Sequence, residues 1–221
     1  MQSKKYQQAG FTLVEIAIVL VIIGLLLGGV LKGQEMIENS RIKAVVNDMN
    51  GVAAAYNSYQ DRYRAIPGDE TAAVMTARGW AGTAGGNANG VLAITQAQTF
   101  TNGGEQASFW RAVRAAGFAT GNPAAPATAA GLPTAGTGGL IGLTINAYGM
   151  SGPAVCVAGL TTKQVEGLDT AIDGAGAANN TGNLRAATGA ANPLAPTAAA
   201  PGFTAYNEVT TTTTWTACRQ L

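Results

Sequence analysis

The chain has 221 residues, a formal net charge of +1, 11 % charged residues and no histidine. That length suits one ordinary domain plus an appendage, and the sparse, balanced charge argues against a broad basic surface for nucleic acid or an acidic tail. Without histidine the commonest general base near neutral pH and the commonest metal ligand are missing, which weakens enzyme readings and leaves no cofactor to expect.

Residues 1–10 are polar and carry Lys4 and Lys5, and from Phe11 to Leu31 the chain is almost wholly apolar. About 21 residues at 1.5 Å rise give a helix about 31 Å long, the hydrocarbon thickness of a bilayer. A secretory signal peptide would carry a small-x-small cleavage site after a shorter apolar run, whereas here the small residue, Gly10, precedes the run. Lys4 and Lys5 favour a cytoplasmic leader, although Lys32, Arg41 and Lys43 dilute the asymmetry. From Lys32 the pattern turns amphipathic: Ile42, Val45, Met49, Val52, Tyr56, Tyr59 and Tyr63 recur every three or four residues, so the same helix should continue. Pro67-Gly68-Asp69 should end it near Tyr63 to Ile66, because proline lacks a donor N–H and disfavours helix in the residue before it. From Thr12 to Tyr63 such a helix is roughly 78 Å long, so its first half must be covered by lipid or by other subunits.

Beyond Pro67, Trp80 to Gly90 reads as a glycine-rich loop, and Glu105 to Phe118 as a short helix with Phe109, Trp110 and Val113 inward and Gly117 as its cap. Gly121 to Gly139, an Ala/Pro/Gly/Thr tract without periodicity, reads as a mobile surface loop. Leu140–Ala147, Ala154–Ala158 and Thr210–Cys218 are strand candidates for an antiparallel sheet; the threonines at 210–214 suit a strand better than glycosylation. Thr161 to Gln164 resembles a capping box opening a helix with Val165, Leu168 and Ile172 on one face, ended by Asp173-Gly174. If this region is exported, Cys156 and Cys218 should form a disulfide; closing a loop of roughly 60 residues removes about 4 kcal/mol of denatured-state entropy. The alternative is two buried free thiols.

Glu15 is the only ionisable side chain in the apolar run. Its bland explanation is a helix-start dipole and interfacial water. Gly24 and Gly28 form a small-xxx-small pair that permits close helix approach, set against incidental glycine in an apolar helix. Asp169 and Asp173, four apart beside Gly174, are weak calcium candidates, a solvated helix end being simpler. Tyr56, Tyr59 and Tyr63 suggest core packing over an aromatic relay.

The junction Gly10-Phe11-Thr12-Leu13-Val14-Glu15, followed by Ile16 to Leu27, resembles the prepilin cleavage and methylation motif of type IV pilins and pseudopilins. The match is strong from Lys4 to about Gly33, fair to about Pro67 and an outline only beyond. The resemblance implies a prepilin peptidase that cuts after Gly10 and methylates the new amine of Phe11. It also implies that Glu15 pairs with the Phe11 amine of a neighbouring subunit and sets axial register. The implied fold class is α+β, with one very long N-terminal helix packed on a small antiparallel sheet, short helices and a C-terminal disulfide loop that Cys156 and Cys218 would close. The organisation that follows is a leader (1–10), a transmembrane and filament-core helix (11–33), the amphipathic half of that helix (34–67) and a loop-rich head (68–221). One departure is that no proline occurs between Phe11 and Asp61, which gives weight to a minor or divergent subunit.

These features describe a structural, non-enzymatic filament subunit, anchored in a bacterial inner membrane as precursor with its head outside the cytoplasm, then moved to a surface or periplasmic fibre. Other pilin subunits, prepilin peptidase, the inner-membrane assembly machinery and the membrane are its implied partners. Alternatives are a minor pilin or type II secretion pseudopilin, a tip adhesin or a DNA-uptake receptor. Nucleic acid is disfavoured because Arg62, Arg64, Arg78, Arg111, Arg114, Lys163, Arg185 and Arg219 are dispersed. A membrane-anchored enzyme would have to work with carboxylates, Lys163 or the cysteines alone.

Overall fold

The computed structural model describes residues 10–80, 85–101, 103–174, 179–189, 193–202, 206 and 214–221. The chain divides into two compact units, residues 1–40 and 41–221, and one helix, α1 (Leu13–Tyr63, 51 residues), contributes to both. Within the first unit no residue from Gly10 to Lys32 is buried by any described part of the chain, although this stretch is rich in leucine, isoleucine and valine.

In the second unit α1 does bury a stripe. Ile42, Val45, Met49, Val52, Ala55 and Tyr59, spaced by three or four, belong to the main core. That core is completed by a four-stranded antiparallel sheet made of β1 (Ile141–Ile145), β2 (Pro153–Leu160), β3 (Leu184–Gly189) and β4 (Thr214–Gln220), in the order β1-β2-β4-β3. Central β2 is buried throughout Ala154–Ala158. Three shorter helices accompany the sheet: α2 (Ala72–Ala77), α3 (Glu105–Ala115) and α4 (Thr162–Ile172). The architecture is therefore α+β and pilin-like.

Local chemistry explains where the elements begin and end. α1 stops at Tyr63, where Arg64 turns left-handed at φ 53° before Pro67. Gly68, at φ +95°, lies where a Cβ would come within 2.8 Å of the Glu105 carbonyl oxygen and 3.1 Å of Phe109, so only glycine fits. α3 closes with a paired cap: Gly117 at φ +80° donates to the Arg114 carbonyl at 3.0 Å, and Phe118 donates to Val113 at 2.9 Å. α4 opens with a reciprocal box in which Thr161 Oγ1 accepts from the Gln164 amide and Gln164 Oε1 accepts from the Thr161 amide. Buried Phe109, Trp110 and Val113 face inward as their spacing requires.

Both sheet edges are occupied, as an isolated four-stranded sheet needs. Along β1, Gln106 Oε1 accepts from Leu143 N at 3.0 Å, Gln106 Nε2 donates to the Thr99 carbonyl, and Ile145 N donates to Ile94 at 3.2 Å. Along β3, Leu184 N donates to Asp173 Oδ2 at 2.7 Å and Ala186 N to the Asn179 carbonyl at 3.0 Å. β3 is an Ala/Thr/Gly segment that sequence periodicity does not single out; its pairing with β4 makes it a strand. β4 starts at Thr214; the rest of the expected Thr210–Cys218 strand lies outside the described residues.

Cys156 of β2 and Cys218 of β4 stand opposite one another in register and are bonded at 2.08 Å, both fully buried. The link spans 62 residues and encloses α4 and β3. Gly121–Gly139 has little regular structure, but two arginines of α3 fasten it. Arg111 Nη2 donates to the Ala125 carbonyl at 3.3 Å and Arg114 Nη1 to Gly131 at 2.9 Å, while Leu132 is buried.

Candidate functional site: the start of the long helix

An α-helix leaves its first four amides without intrahelical acceptors. In α1 Thr12 and Glu15 answer that need together. The Thr12 amide and the Thr12 hydroxyl both donate to Glu15 Oε2 at 2.8 Å, and the Glu15 amide donates back to Thr12 Oγ1 at 3.2 Å. This is a capping box, and it places the anionic side chain in the first turn, where the helix dipole favours negative charge. The pattern Thr-x-x-Glu ahead of an apolar run signals it, and the expectations drawn from sequence did not use that signal. Gly10 and Phe11 consequently precede the helix, and Phe11 is 84 % exposed.

Gly24 and Gly28 share one face of α1 a turn apart, and a Cβ at either position would meet nothing within 4 Å. Their small size is therefore not required by the described part of their own chain. The bilayer-length apolar stretch is real: α1 contains a span of mean hydropathy 2.8, none of it buried.

The prokaryotic N-terminal methylation motif matches residues 5–31. The chain carries a type IV prepilin-type signal. The match covers the junction at Gly10–Phe11, Glu15, both glycines and the apolar run, and none of the sheet-bearing unit. Neither the curated proteins nor the solved structures compared with the chain include a match. The motif supports a pilin-like or pseudopilin precursor of the kind that prepilin peptidase processes.

The other residues of interest lie in the second unit and are engaged in holding it together. Tyr59, buried, donates its hydroxyl to Glu70 Oε2, and Arg78 meets Glu70 in a two-pronged contact, 2.6 Å on each oxygen, while also donating to the Tyr59 oxygen at 2.9 Å. The Arg78 guanidinium lies 4.4 Å from the Tyr63 ring centre and 5.3 Å from that of Trp80. Burial, and then the bond to Glu70, push the Tyr59 hydroxyl far above its ordinary pKa, so it stays a donor. Tyr56 is half-buried, its oxygen accepting from Gln60 Nε2 at 3.0 Å. The tyrosines thus pack and tie the end of α1 to α2. Glu70 and Arg78, eight residues apart across a short helix, form no pattern that periodicity would reveal.

Asp169 and Asp173 both serve protein donors. Tyr206 donates to Asp169 Oδ2 at 2.9 Å, and Asp173 accepts from the amides of Asn183 at 3.0 Å and Leu184 at 2.7 Å. Burial, with a contribution from nearby Asp173, raises the Asp169 pKa despite the Tyr206 bond. Among the described residues no group of three metal-ligating side chains is assembled. The arginines gather into no stripe: Arg78 binds Glu70, Arg111 and Arg114 bind loop carbonyls, Arg185 binds the Tyr148 carbonyl at 2.8 Å, and Arg219 binds Asn50.

Proposed function

We propose that the chain is a structural subunit of a type IV pilus or a related filament. Prepilin peptidase removes residues 1–10 and methylates Phe11, and residues 11–33 leave the bilayer to pack with sibling helices. The amphipathic continuation, 34–67, and the head, 68–221, stay outside the cytoplasm. The observation that carries this reading is an apolar helix start, uncovered by any described residue, directly behind a prepilin-type signal. Such a surface is tolerated in lipid by a lone subunit and among like helices in a fibre, so assembly exchanges one apolar environment for another and can be driven and reversed by an inner-membrane machine.

Glu15 gives the exchange its register. In the fibre interior its carboxylate pairs with the Phe11 amine of a neighbour, and a subunit in the wrong register leaves a buried charge unpaired. Gly24 and Gly28 allow the helices to approach closely. No catalytic residue or cofactor is assigned. The absence of proline between Phe11 and Asp61 favours a minor pilin or a type II secretion pseudopilin as the second reading. Glu15→Ala tests the mechanism. Membrane insertion should be unchanged while recovery in sheared fibres collapses; normal recovery would remove Glu15 from assembly.

A further inference from the structure

We infer that the cleft at the C-terminal end of α1 is a docking surface for a lysine or arginine side chain of a partner protein, its aliphatic stem on Ile66, Val74 and Ala88 and its charge facing Asp69. The cleft encloses about 540 Å³ between the end of α1, the turn that follows it, Val74 of α2 and the segment at Ala88 and Gly90. A volume of that size takes a long side chain or a small ligand.

Two observations meet there. The first is exposed apolar surface: among the described residues from Arg41 onward, Val74 and Val91 are the only large apolar side chains left exposed. Val74 lines the cleft beside half-buried Ile66, and Val91 directly follows Gly90, which also lines it. Large apolar groups left open together beside a cleft are what a contact surface offers. The second observation is charge. Asp69 lines the same cleft and is 5 % exposed; its oxygens accept from the amides of Asn89 at 3.1 Å and Gly90 at 2.8 Å, and among the described residues it forms no ion pair. Neighbouring Glu70, also buried, is answered by Arg78. Buried Glu105 is raised in pKa first by its burial, and the charge of nearby Asp69 adds to the effect. Arg64, the other cation at the cleft, stands in solvent 3.7 Å from Asp61.

Buried charge in a protein is ordinarily paired, and a cleft lined by one sign of charge in low-dielectric walls concentrates its field in the opening. An incoming cation therefore finds an uncompensated carboxylate beside an aliphatic wall. Lysine and arginine are the side chains that carry both a long apolar stem and a positive charge. An acidic partner would be repelled, and a purely apolar one would leave Asp69 unanswered.

The test titrates n-butylammonium, the lysine side chain as a free molecule, into the isotope-labelled full-length chain in detergent micelles. Neutral n-butanol and anionic butyrate serve as counterparts of similar length. n-Butylammonium should shift the amide resonances of Val74, Ala88 and Gly90 saturably, with a Kd roughly tenfold below that of n-butanol, the worth of one partly screened charge pair. Butyrate should shift none, and added salt should erode the advantage of the cation. Val74→Lys, which brings a cation of the chain's own to the cleft, should weaken n-butylammonium roughly tenfold on the same argument. Val74→Leu, which leaves the charge unchanged, should bind within about twofold of wild type. No saturable shift at these three amides, equal binding of n-butanol, or undiminished binding to Val74→Lys would each overturn the inference. In intact cells, p-benzoylphenylalanine in place of Val91 should cross-link to a peptide with a lysine or arginine within a few residues of the link. No adduct, a lipid adduct, or a peptide without a basic residue would overturn the docking claim. The titration needs no fibre, so its failure and that of the filament proposal are read separately.

Discussion

The two units solve opposite problems with their apolar side chains. Between Gly10 and Lys32 large aliphatic residues predominate and none is covered, because one long helix satisfies its own backbone and needs no tertiary partner to exist in lipid. Residues 41–221 are poor in large side chains, rich in alanine and glycine, and bury what they have behind a sheet, a disulfide and a partly buried ion pair. On the proposed reading the first unit is specified only when it meets its copies. The second is specified alone and depends on a few fastenings, so substitutions should separate the two cleanly.

The largest effect should come from Cys156→Ala with Cys218→Ala. Losing a link across 62 residues removes about 4 kcal/mol in the chain-entropy model, so thermal unfolding of the head should shift sharply downward while membrane insertion is untouched. Arg78→Ala comes next. It leaves Glu70 buried without its partner, and because Arg78 is itself about a quarter exposed the cost should sit at the low end for a broken buried pair, about 3 kcal/mol in denaturant melts. Gly68→Ala adds a left-handed non-glycine residue and a contact with the Glu105 carbonyl, at about 2 kcal/mol.

The smallest of these effects is on pH dependence. Asp169 binds its proton more tightly folded than unfolded because it is buried. Its contribution is therefore fully present below the ordinary carboxylate pKa and is lost as pH rises through the raised folded value. Asp169→Asn keeps an acceptor for Tyr206 and removes the titration. The gap in denaturant midpoint between variant and wild type should widen in the variant's favour from acid to neutral pH; a constant gap would rule out this assignment.

Legibility followed the range of the forces involved. α1 could be read because a long, almost wholly apolar run, a three-four stripe from Ile42 to Tyr63 and Pro67 are all local signals. The caps at Gly117 and at Thr161/Gln164 were equally local, and two cysteines admit one pairing. Leu184–Gly189 resisted because alanine and glycine carry little strand preference; Asp173 and β4 impose its conformation from elsewhere. The Tyr59–Glu70–Arg78 tie is likewise a product of packing. At the helix start the residues Thr12 and Glu15 are a recognisable box, but which carboxylate oxygen the donors share is a matter of geometry alone.

Mass spectrometry of fibres sheared from cells producing the chain tests the central claim most directly. The account predicts an N-terminal peptide that begins at Phe11 with a methylated amine and continues into the apolar run. Recovery of the chain only in membranes, with Met1 to Gly10 still attached, would contradict it.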